Sequence, residues 1–248
     1  MEGKMEYLRI GKRQIEYELR KSSKAKRLIV TIKHQKLKVS VPAEVTFTQA
    51  RRYLENNKDL ILKYIEKQNS AAGETAAKEY VSGEKLLYRG RHYPLLIEEK
   101  AGPGSSSASF IGSRIVVTVP PGLSKEKKSQ STKKILEEWY IRQAQKLLPE
   151  QVEYYARQLD IIYQKLRIKD QKTKWGSCSS KGYINLNWRI IMAPNQVAAY
   201  VIIHELAHLK YMNHSKEFWA FVEQILPDYK KWKNWLKEHC NELMDGWD

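Results

Sequence analysis

Between Val197 and Leu209 the chain is apolar except for His204, Glu205 and His208. Pro194 stands near its start, where a missing N–H costs nothing, and the run predicts a helix to about Lys210. The three polar residues form the pattern His-Glu-x-x-His. Side chains four apart lie one turn along the same helix face, with Cβ atoms ~5–6 Å apart. Two imidazoles at that spacing can converge on one ion at Zn–N distances near 2.0–2.1 Å. Glu205 flanks that face and reaches a water on the ion without itself being a ligand.

A zinc site built for catalysis takes three protein ligands and leaves one position for water. His214 follows His208 by six residues, beyond the expected helix end. Tyr211-Met-Asn213 turns the chain back, with Asn213 tolerant of a left-handed conformation. Glu217, Glu223 and Asp228 are rivals for the third position; His214 is preferred because it is nearest and is the softer ligand. Zinc in such a site lowers the pKa of its water to about 7, and Glu205 accepts the proton. The expectation is a Zn2+-dependent hydrolase with His204, His208 and His214 as metal ligands and Glu205 as catalytic base. His34, His92 and His239 are assigned no role.

The remaining composition narrows the setting. The 248 residues carry a formal charge of +16, dispersed along the chain rather than gathered in one block. Such a field attracts nucleotides, nucleic acid or other anionic surfaces, or simply solvates a lysine-rich exterior. Cys178 and Cys240, the two cysteines, are too few for a disulfide framework or a tetrathiolate site. No run reaches the ~18 apolar residues of a membrane span, and Met1 to Arg9 has no apolar secretory core. A cytoplasmic protein without a membrane partner is expected; the oligomeric state is not legible.

Three regions are expected: 1–78, 79–160 and 161–248. In the first, Arg13 to Leu19, Leu28 to Ile32, and Leu37, Val39 and Val41 alternate as strands. A helix then spans Thr46 to Gln68, with Thr46 or Thr48 as N-cap. The small, polar stretch Ser70 to Lys78 reads as a linker. The second region offers strands at Leu86 to Tyr88, His92 to Ile97, Ala108 to Ile111 and Ile115 to Val119. A long helix from about Lys127 to Leu159 follows, bent at Pro149. Lys38-Val-Ser-Val-Pro-Ala43 echoes Val116-Val-Thr-Val-Pro-Pro121, each before a helix. This could record a duplication, but a strand ending in proline before a helix is common local grammar, and that simpler reading is preferred. The third region has a strand at Lys165 to Lys169, a turn-rich loop at Trp175 to Gly182, a strand at Tyr183 to Ile191, and helices near Ser215 to Ile225 and Asp228 to Glu242.

The runs Lys174-Trp-Gly-Ser-Cys-Ser179, Ile184-Asn-Leu-Asn187, His204-Glu-Leu-Ala-His208 and Asn213-His-Ser215 with Phe218-Trp219 resemble the YgjP-like metallopeptidase family, related to the SprT and WLM zincins. The resemblance is specific over Lys165 to about Lys237 and looser before it. It implies His204, His208 and His214 as ligands and Glu205 as base. It also implies an α+β fold, with N-terminal β-hairpin and helix units before a zincin-like, minigluzincin core whose short sheet lies over the active-site helix. A peptide or protein substrate follows. Tyr211 stands where metzincins place a glycine, so the turn must differ from theirs. Alternatives that keep the metal are hydrolysis of nucleotide or other phosphate compounds, and a DNA-associated protease of the SprT kind.

Around the centre, Tyr183 to Ile191 is the candidate strand for pairing with an extended substrate, with Asn185, Asn187 and Arg189 on one face; a solvated strand face is the simpler and preferred reading, since alternation says only that one face is polar. The Trp175-Gly-Ser-Cys loop reads as a compact turn anchored by Trp175, and Cys178 as a small buried hydrophobe. Trp219, Phe221, Trp232 and Trp235 read as core packing.

Overall fold

Alternating apolar residues in the first region produce more strands than the sequence suggests. The computed structural model describes residues 4–10, 13–33, 36–72 and 78–247, and its fold is mixed α+β. Strands β1 (Lys4–Ile10) and β2 (Arg13–Ser22) form an antiparallel hairpin, as do β3 (Ile29–Lys33) and β4 (Lys36–Pro42). The hairpins join where β4 runs parallel to β2, giving the order β1-β2-β4-β3. Period-two positions Tyr17, Leu19, Leu37, Val39 and Val41 are buried, as a sheet with one covered face requires. Ala50 and Leu54 of α1 (Phe47–Asn56) and Ile61 and Ile65 of α2 (Lys58–Ala72) complete that core.

Thr46 begins α1 with a full capping box to Gln49. The single helix expected to Gln68 is divided at Asn57, whose side-chain amide donates to the Tyr53 carbonyl at 2.8 Å and competes with the helical ladder. Of the expected linker, Ser70 to Ala72 belongs to α2, and residues 73–77 lie outside the described residues.

The chain divides into two compact units, 1–76 and 77–248. The second opens with β5 (Lys85–Tyr88), β6 (Arg91–Glu99), β7 (Ser107–Ile111) and β8 (Arg114–Val119) in the order β5-β6-β8-β7. Its hairpins are antiparallel, and β8 runs parallel to β6. Strand order and every pairing direction repeat those of the first sheet. The Val-x-Val-Pro echo falls on the equivalent strands β4 and β8, so local grammar is too small an account and the echo marks a topological repeat.

The second sheet is covered by α3 (Lys125–Gln158), which continues through Pro149. Leu136, Tyr140, Ala144, Leu148 and Val152 are fully buried at four-residue intervals, one stripe facing the core. That core also takes in the residues of 161–248, so α3 serves both the second sheet and the segment carrying the histidines.

A third sheet of β9 (Lys165–Lys169), β10 (Gly176–Cys178) and β11 (Tyr183–Asn187) has the order β10-β11-β9. β11 pairs parallel with β9 and antiparallel with β10. The strand expected to reach Ile191 ends at Asn187. There the Asn187 side chain accepts from the Arg189 N–H and starts a 3-10 turn over Trp188–Ile191. α4 (Asn195–Ala207), α5 (Lys216–Ile225), α6 (Tyr229–Glu238) and α7 (Cys240–Met244) follow. The β5–β6 turn holds the entry to α4: Arg89 and Gly90 donate to the carbonyls of Ile191 and Met192 at 3.1 and 2.8 Å. Gly90 has φ +79°, and a Cβ there would lie 2.7 Å from Pro194, so both conformation and space require glycine. Among the described residues no helix is long and apolar enough to cross a membrane.

Candidate metal centre

α4 is buried nearly all round, with Ile202, Ile203, Leu206 and Ala207 in the core, and this fixes how its few polar side chains emerge. His204 sits in its last turn and His208 at its C-cap, with ring centroids 4.9 Å apart. Beyond the cap, Leu209 donates to the Leu206 carbonyl, and Lys210 and Tyr211 to that of Ala207. The Tyr211 carbonyl lies 3.1 Å from His208 Nδ1. Donation from that nitrogen leaves His208 Nε2 with a free lone pair.

His214 arrives from the other side. Ser215 caps α5 by accepting from the Phe218 N–H, which sets the chain direction at His214. No residue from 208 to 214 has positive φ. The expected left-handed Asn213 is therefore a correction: backbone bonds to Leu206 and Ala207 curl the turn without one, which is why Tyr211 is accepted where a glycine would otherwise stand. All three rings rest on Phe218, itself fully buried, at centroid distances of 5.0, 4.8 and 4.8 Å.

One nitrogen from each of His204, His208 and His214 falls within 4.8 Å of the others, and His214 Nε2 lies 3.1 Å from His204 Nε2. This is the only potential metal-binding group of three or more among the described residues. The rival carboxylates are not part of it, and Glu223 pairs with Lys230 at 3.1 Å. His92 pairs with Glu242 and His239 stacks on Trp235. His34 lies outside the described residues. Burial, then the neighbouring His208, His214 and Lys233, pushes His204 down to about 3. His214 is lowered as well, by burial first. Both imidazoles are thus neutral, and the buried His204 Nδ1 has no hydrogen-bond partner. Uncharged nitrogens crowded at 3.1 Å are a donor set that fits a borderline-soft divalent cation.

Glu205 is 6% exposed, and burial pushes its carboxyl up to about 8, with Lys174 opposing. A cation held beside it would favour the charged form again. The carboxylate lies against β10, where a Cβ on Gly176 would come within 2.6 Å of Glu205 Oε1. Only glycine leaves that space. The sequence-level reading of Trp175 to Gly182 as a turn missed both the strand and this approach; the one available signal was a glycine beside a tryptophan that packs against the core.

The proposed substrate-facing role of Tyr183 to Ile191 is also corrected. β11 is the central strand, with both edges already paired, and the edge strand beside α4 is β10. Asn187 is fully buried and donates to the carbonyls of Gln171 and Lys174. Arg189 is 2% exposed and pairs with Asp170, and Asn185 donates to Ser177 Oγ at 3.1 Å. Alternation placed these residues on one face, but each of these side chains finds a partner within the protein. Cys178, half-buried, has its thiol pushed up to about 11 by burial and then by Glu205, which leaves no thiolate at neutral pH.

Trp219 packs against the core as expected, and it also stacks on His214, with centroids 5.5 Å apart and planes at 21°. Tyr229 stacks on Trp219 at 5.3 Å and 14°, and Tyr200, one turn before His204, stacks on Tyr229 at 6.4 Å and 18°. These rings enclose one side of the centre. Helical spacing alone did not separate them from ordinary core.

Comparison with known proteins gives three results. No curated protein matches. Among solved structures, the metallopeptidase zymogen of Pyrococcus abyssi abylysin is 28% identical over 36% of this chain and 91% of that chain, with a TM-score of 0.34, too low to inform the fold. The model of the YgjP-like metallopeptidase domain matches residues 26–239, most of the chain. The chain belongs to the YgjP-like metallopeptidase family.

Proposed function

We propose that the protein is a zinc peptidase in which His204, His208 and His214 hold the ion and Glu205 moves the protons. The observation that carries this reading is the convergence of three imidazole nitrogens within 4.8 Å, with a buried carboxylate on the residue after His204. A zinc ion held by these side chains would supply Lewis acidity to a scissile carbonyl and make water acidic enough to deprotonate near neutrality.

The chain's own groups do the rest. Glu205, seated against Gly176, takes the proton of the attacking water and returns it to the leaving amine. Burial around α4 limits bulk water at that carboxylate. Strand β10 has one edge unpaired within its sheet, and an extended peptide added there would run beside Glu205 through main-chain hydrogen bonds. This favours a peptide or protein substrate.

Glu205→Gln is the test. It preserves shape and removes the proton acceptor. Zinc content, by atomic absorption on purified protein, should remain as in the native chain, while peptide hydrolysis should fall by roughly 10²–10⁴-fold. A Glu205→Gln protein that cleaves at the native rate would refute the assignment.

A further inference from the structure

Lys233 is the unexplained charge at the centre. It is exposed on α6, and its Nζ lies 4.2 Å above the ring of Trp219, the residue that stacks on His214 and approaches His204 to 5.8 Å. Its neighbours on the same helix are accounted for: Lys230 pairs with Glu223, and Lys231 lies over Trp232. Lys233 makes no ion pair with a carboxylate among the described residues.

A positive charge beside three converging imidazole nitrogens is unfavourable for binding a cation. A lysine at that position has a use if it meets an anion during function. The cation–π contact positions the ammonium without using up its N–H donors on a carboxylate. No described carboxylate of this chain pairs with Lys233, and both Lys233 and His214 are exposed, so an anion from solution has access to the ammonium.

We propose that Lys233 is a specificity-determining residue that binds a carboxylate of the substrate at the rim of the histidine cluster. That carboxylate is either an acidic side chain near the scissile bond or the free C-terminal carboxylate of the peptide. The proposal rests on the peptidase reading above and specifies its substrate class.

Binding to the zinc-loaded, full-length Glu205→Gln protein tests it without requiring turnover. Short peptides carrying Glu or Gln at successive positions, each made with a free and an amidated C-terminus, are titrated by calorimetry. The anionic member of a matched pair should bind about tenfold more tightly, a gap typical of a charged partner that is partly desolvated. Adding Lys233→Met should erase the gap, and Lys233→Arg should keep most of it. A gap set by the Glu/Gln exchange identifies the side chain, and one set by amidation identifies the terminus.

Zinc affinity separates a specific role from structural damage. Removing the repulsive charge should raise zinc affinity in Lys233→Met, whereas a damaged site would lose zinc. Absence of any charge preference, a preference that survives Lys233→Met, or weaker zinc binding in that variant overturns the proposal. If the chain with Glu205 intact cleaves none of these peptides while the Lys233-dependent preference persists, the peptidase reading fails and the carboxylate site stands.

Discussion

The two four-stranded sheets share strand order and pairing directions, yet they support different things. The first is backed by α1 and α2, and its core is a small set of side chains between one sheet face and two short helices. The second is backed by the 34-residue α3, and its core runs on without interruption into Leu186, Trp188, Ile203 and Phe218. Side chains under the first sheet pack with one another in a separate cluster. The core under the second continues to Phe218, on which the histidine rings rest, and the backbone of its β5–β6 turn holds the entry to α4. The same sheet grammar is a self-contained unit in one place and the foundation of a chemical site in the other.

That contrast breaks most readily at Phe218. Phe218→Ala should cost about 3–5 kcal/mol in urea unfolding, the range for truncating a buried aromatic. It should also release zinc, because all three imidazoles lean on that ring. Stability and metal binding should fall together. In the first unit the two should separate. Leu54→Ala, at a fully buried position, should cost about 2–5 kcal/mol and leave zinc affinity as in the native chain. A drop in zinc affinity with Leu54→Ala would show that the first unit takes part in the site. Ser215→Ala is the smallest of the three: about 1 kcal/mol for the lost N-cap, with a modest weakening of zinc affinity as His214 loses its fixed approach. Unchanged zinc affinity there would mean that packing on Phe218 and Trp219 holds His214 in place without the cap.

The parts of this arrangement that repeat were legible in the sequence. Alternation located the strands of the second sheet, and the apolar run with its polar interruptions located α4 and the three histidines. What escaped was set by approach rather than pattern. β10 has three residues, too few for alternation to register, and the value of Gly176 depends on Glu205 arriving from a helix 29 positions away in the chain. Asn187 and Arg189 were read as one polar strand face, yet the strand stops at Asn187 and Arg189 belongs to the 3-10 turn. A polar face faces solvent only if nothing satisfies it, and here Gln171, Lys174 and Asp170 do. Trp219 had a spacing shared by core residues and by a ring stacked on His214, and only the fold distinguishes them. The turn after His208 was foreseen in place but credited to Asn213, where the closing forces are backbone hydrogen bonds.

The central claim is that three imidazoles, and no carboxylate, hold one ion. Zinc stoichiometry and affinity of His214→Ala, measured beside the native chain by metal-competition titration, address it most directly. One zinc per native chain is expected and, for His214→Ala, a loss of affinity of at least about tenfold, since removing even an outer-shell partner of a ligand costs 10–100-fold. Native affinity in His214→Ala would contradict it and assign the third position to another residue.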